Sequence, residues 1–222
     1  MSLHLEQAAP PPPSDVLRAH ITRGGAVQLR RPLRDAVVWT LAAAVVAVAS
    51  IALFGVRRDL VGVDARWLVL GIAWLLVSVT AGVAATIPPT GQVLPSTTRA
   101  RWIAGGSMGL LALATAVLAY DRAQSTHYAG LATLHGIGHC CGLGLVMAAP
   151  LVGLSWALVI RRVPVGAPLV GAALGAAAGA LSGFVLHTVC AVGGATHALL
   201  GHVGGLALGA ALGAASSLFN RR

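Results

Sequence analysis

The chain has 222 residues, 57% of them hydrophobic and 9% charged, with a formal net charge of +9. Soluble domains average about 25% charged residues, so this composition excludes an ordinary soluble fold. The basic residues are all arginine and flank the apolar stretches, which points to membrane topology and anionic lipid as a partner and away from direct contact with nucleic acid.

Residues 1–35 come first and show little apolar periodicity. Pro10, Pro11, Pro12 and Pro13 make a stiff extended run. Ser14 is placed to cap a short helix carrying Val16, Leu17 and Ile21 on one side, which Gly24 and Gly25 then break. One reading is a largely disordered tail. The other is a docking segment that orders on a cytosolic partner, anchored by Val16, Leu17 and Ile21 with Arg18 and Arg23 beside them.

Six apolar stretches follow, at 36–54, 67–87, 102–120, 136–160, 168–187 and 197–218. Each approaches the roughly 20 residues a spanning helix needs. The expected fold is an all-α integral membrane protein with six transmembrane helices. Its parts are a cytoplasmic segment 1–35, a membrane domain 36–218 and a cytoplasmic tail 219–222. Arg18, Arg23, Arg30, Arg31, Arg34, Arg99, Arg101, Arg161, Arg162, Arg221 and Arg222 share one side of that arrangement; Arg57, Arg58, Arg66 and Arg122 share the other. Arginine-rich short loops stay inside, so both termini are expected in the cytoplasm of a cell inner membrane. Trp39, Trp102 and Trp156 then fall near inner ends, and Trp67 and Tyr120 near outer ends, as an interfacial belt would. The stretches carry no Asp or Glu, which argues against an ion-coupled transporter. Ser155 and Ser182 lack a recognisable base, and the single His-x-x-x-His is too little for a histidine-box oxygenase, so no enzyme is expected.

The fourth stretch opens on a reactive group: His127, His135, His139, Cys140 and Cys141 precede it or lie at its start. His135 and His139, four apart, share a face if helical. The fifth stretch carries Gly171, Gly175, Gly179 and Gly183, and the sixth Gly201, Gly205, Gly209 and Gly213. Two registers of period four predict a close helix hairpin. His187 and His197 extend those registers at the outer end and are expected to meet near Cys190. His202, five residues beyond His197, diverges from it by about 140° on a regular helix. On an oxidising outer face Cys190 could pair with Cys140 or Cys141, and a labile bridge would report redox state. His135, His139, His187, Cys190 and His197 also form a candidate transition-metal set, although no cofactor is required by the sequence. The competing reading for each is a packed thiol or a hydrogen-bonded histidine.

Six spans in about 220 residues, a short cytoplasmic head, a cysteine early in the fourth span (Cys140 or Cys141) and another just after the fifth (Cys190) resemble the NrsF-type polytopic anti-sigma factors. Within that family the likeness is greatest to light-responsive myxobacterial members that keep carotenoid genes off. The resemblance implies sequestration of an extracytoplasmic-function sigma factor at the membrane, with Cys140, Cys141 and Cys190 as the sensor cysteines. The rival reading is a metal- or haem-handling polytopic membrane protein built on the outer His/Cys residues.

Overall fold

The computed structural model describes residues 31–57, 65–88, 96–119, 134–163, 167–190 and 194–220. All regular structure among them is helical. Five helices are α1 (Pro32–Phe54), α2 (Ala65–Thr86), α3 (Thr97–Ala119), α4 (Leu134–Leu158) and α5 (Ala167–Val189). The sixth, α6, spans Ala195–Phe219, and all six are long and apolar enough to cross a membrane. Val16, Leu17, Arg18, Ile21 and Arg23 lie outside the described residues, as do Arg58, Tyr120, Arg122 and His127.

Helix α1 begins at Pro32, earlier than apolarity alone suggested. Proline suits the first helical position because its missing N–H has no intrahelical partner there. The early start carries Asp35 into the first turn, where it is fully buried beside Arg34 (Nη2 to Oδ1, 3.3 Å). The expectation that no acid lies within a span is therefore corrected. A carboxylate in a first turn is favoured by the positive end of the helix dipole, which explains how the span tolerates it.

Helix α5 is the centre of the bundle and packs against every other long helix. Over its most apolar window 83% of residues are buried, against 22–44% in the other five. Its Ala/Gly composition is the cause: small residues let five neighbours approach one backbone. The surrounding helices turn Leu41, Val45, Val48, Ile72, Leu76, Leu113 and Val117 outward, as lipid-facing surfaces require.

Alternating directions follow from the pairings. Gly171 lies against Gly213 and Gly175 against Gly209, so α5 and α6 are antiparallel. A Cβ at Gly171 or Gly175 would fall on the facing carbonyl, which makes glycine obligatory there. The registers do not face each other throughout. Gly179 meets Leu206, Gly183 receives the Trp74 ring of α2, and Gly201 and Gly205 face α4 at Cys140, Cys141 and Gly144.

The tryptophans depart from a belt. Trp102 is exposed, but Trp39 and Trp67 are buried to 1% and 2%. Trp39 fills the space Gly82 leaves and donates Nε1–H to Ser155 Oγ at 3.1 Å. Trp67 donates to the His187 carbonyl at 3.3 Å. A tryptophan near a span end packs inward wherever a glycine slot or a buried acceptor receives it.

Candidate functional site: a His/Cys cluster at one end of the bundle

Three segments converge where α4 begins, α5 ends and α6 begins. Cys140 sits two turns into α4, buried against Gly201, whose missing side chain lets α6 come this close. Cys190 follows the last residue of α5, its N–H bonded to the Leu186 carbonyl at 2.8 Å. His197 lies in the first turn of α6. Cys140 Sγ is 3.7 Å from Cys190 Sγ; His197 Nε2 is 3.2 Å from Cys140 Sγ and 3.6 Å from Cys190 Sγ. All three cysteines are free thiols.

His202 joins this group although a regular helix would turn it away. Residues Ala198–Val203 form a turn of π-helix. Its i→i+5 bonding brings residues five apart towards one face, so His197 and His202 both point into the cluster. The divergence expected for this pair is thereby corrected: the local geometry is π, not α. One donor atom from each of Cys140, Cys190, His197 and His202 lies within 4.8 Å of the others.

Around this core is an aromatic collar. His187 stacks edge-on against His202 (centroids 4.6 Å) and Trp67 (4.5 Å), and lies 5.6 Å from Trp74. Arg57 covers Trp67 at 5.6 Å, and its backbone N–H bonds the Thr188 carbonyl at 3.1 Å. This places a buried cation against the collar. Cys190, in the connection beyond α5, is held below the ordinary thiol range. The hydrogen bond with Cys140 is the chief cause, with His197 adding to it against the upward push of burial.

The other candidates separate from the cluster. His135 and His139 are exposed on α4. Cys141, next to Cys140, turns instead towards Gly204 and Gly205 of α6. Ser155 accepts from Trp39 and donates to the Leu151 carbonyl; Ser182 donates to the Gly179 carbonyl. Both serine hydroxyls are thus spent on packing. His202 was missed as a site member because α-helical spacing rotates it away; the signal available was its place in a Gly-flanked segment, Gly201 to Gly205, where helix geometry is least constrained.

Chemically, the cluster offers two thiols that can oxidise together and imidazoles that can take up or release protons or bind a soft cation. The chain matches no curated protein and no solved structure. A protein-family model described as NrsF, negative regulator of sigma F, matches residues 23–219, which take in all six helices and the cluster. The chain therefore belongs to the NrsF family, whose members are negative regulators of a sigma factor.

Proposed function

We propose that this protein is an inner-membrane anti-sigma factor that sequesters an extracytoplasmic-function sigma factor and releases it when the outer end of the bundle is modified. The family match across 23–219 carries this reading. The distribution of arginine supports cytoplasmic placement of both termini, with the His/Cys cluster on the opposite face. Residues 1–35 then form the docking segment, through Val16, Leu17, Arg18, Ile21 and Arg23, assisted by the connections 88–101 and 161–167. Membrane lipid is the second partner.

The thiol pair Cys140 and Cys190 is the proposed sensor, with Cys141 set apart beside Gly204. Singlet oxygen generated by light fits this chemistry and the carotenoid output of the light-responsive members that the chain resembles. Two thiols lose two protons and two electrons, which pass to dioxygen and leave as hydrogen peroxide. The sulfurs must close from 3.7 Å to a bond of about 2.05 Å, so α4 and the α5–α6 connection must shift.

The test is deletion of residues 14–21 in a strain reporting sigma-dependent transcription. Constitutive transcription with the protein still in the membrane is the expected result. Full repression by the deleted form would move the docking surface to the inner connections.

A further inference from the structure

We propose that Cys140, Cys190, His197 and His202 bind one zinc ion, which ties α4 to the α5–α6 hairpin. This is a different set from the one spacing suggested: it excludes the exposed His135 and His139 and takes in His202. The site stands on its own geometry, whether or not a sigma factor is the partner; oxidation of the two sulfurs to a disulfide would release the ion.

Three observations point to the ion. The first is spacing. Tetrahedral zinc, with Zn–S about 2.3 Å and Zn–N about 2.0–2.1 Å, sets S···S near about 3.8 Å and S···N near about 3.5 Å. The observed separations are 3.7 Å between the sulfurs and 3.6 and 3.2 Å from them to His197 Nε2. Three donors already stand at ligation distance from one another, and His202 needs only a modest inward movement from within the 4.8 Å group. The second is the state of the histidines. His202 is fully buried and neither ring nitrogen has a hydrogen-bond partner among the described residues; Nδ1 of His197 is likewise without one. Leaving a buried polar atom unpaired is costly, and ligation satisfies one nitrogen of His202 directly.

The third is charge. Zn²⁺ binding two thiols expels two protons and leaves a neutral unit of one dication, two thiolates and two neutral imidazoles. A neutral centre is the form best tolerated in an apolar bundle. Calcium and magnesium demand oxygen donors, which this group lacks. The π turn acquires a purpose in this arrangement: it brings two ligands from one helix onto the same side. His187, wedged edge-on between Trp67 and His202, acts as a positioning residue that fixes the His202 ring.

The experiment uses the full chain in detergent, purified with a reductant and without chelator. Elemental analysis should find one zinc per chain. Replacement by Co²⁺ should give the visible bands of a tetrahedral ion together with sulfur-to-cobalt charge transfer in the near ultraviolet. His202→Gln should weaken zinc at least about 10–100-fold, the loss usual even for a residue that only hydrogen-bonds a ligand, while Cys141→Ser and His139→Gln leave stoichiometry unchanged. Should Cys140→Ser or Cys190→Ser fail to accumulate, the wild-type cobalt spectrum still decides. A spectrum without thiolate charge transfer, wild-type protein without zinc, or equal loss in Cys141→Ser and His202→Gln overturns the site. None of these outcomes touches repression of a sigma factor, which is measured separately.

Discussion

The two ends of the α5–α6 hairpin are built on opposite principles. At the end near Gly171 and Gly213, backbone meets backbone with no side chain between. At the other end α6 runs through a π turn, its glycines face α4 instead, and thiols and imidazoles fill the junction. In lipid, close packing holds helices together without a hydrophobic drive between them, so the glycine end is the fixed one. The polar end carries buried groups whose partners can change with oxidation, protons or a metal. A hairpin clamped at one end and chemically adjustable at the other would move most where the chemistry occurs.

Breaking the clamp should have the largest effect. Gly175→Leu or Gly213→Leu places a side chain on a facing backbone carbonyl that cannot rotate away. The cost should reach or exceed the upper end of the about 1–3 kcal/mol usual for overpacking. Immunoblots of membranes should show little protein and reporters should show full sigma activity; normal accumulation would mean the hairpin is not close-packed there.

Altering the adjustable end should spare the fold and change only the response. Cys140→Ser, Cys190→Ser and the double variant should accumulate normally yet lose induction by photosensitised singlet oxygen. If the pair works as one unit, the double variant matches either single one. Unaltered induction in all three would reduce the cysteines to packing residues. Deleting Leu200, an exposed member of the π turn, tests the same end more finely. Loss of one residue should restore α geometry and leave His197 and His202 four apart, still on one face, so induction should survive the deletion.

Smaller effects sharpen the contrast. A Cβ at Gly201 would stand 3.3 Å from that of Cys140, close enough to nudge the cluster. Gly201→Ala should leave protein levels near wild type while shifting the induction threshold. Gly142→Ala, in open space on α4, is the baseline. It should be neutral or stabilising by about 0.5–1 kcal/mol, the usual helix gain of Ala over Gly, read as a higher melting temperature in detergent.

Hydropathy located the six helices because span length is a gross property of composition. It misjudged the start of α1 because Asp35 is hidden by burial and by the helix N-terminus, neither of which a hydropathy window registers. Periodicity of four names a helix face but not the neighbour across it. That is why Gly183 could meet Trp74 and Gly205 could meet α4 while belonging to the same registers as Gly175 and Gly209. The candidate site was legible as a cluster of residue types near one end. Which of Cys140 and Cys141 faces Cys190 depends on a 100° rotation fixed by packing. His202 depended on a π turn, a departure from regular geometry that spacing cannot show. Trp39 and Trp67 were ambiguous for a related reason: an indole near a span end suits headgroups and glycine slots alike.

The burial of α5 also has a consequence for how the protein is made. The ribosome delivers α1 to α4 to the membrane first. Until α5 arrives, the Trp74 ring has no Gly183 to rest on, and the Ser78 hydroxyl lacks the Ala177 carbonyl that it reaches at 2.8 Å in the finished bundle. The early insertion intermediate would then expose polar groups that the finished bundle covers. It is expected to depend on membrane chaperones and to be a substrate for quality-control proteases. A chain stopped after residue 163 should be cleared rapidly, and the cell would lose its brake on transcription with it.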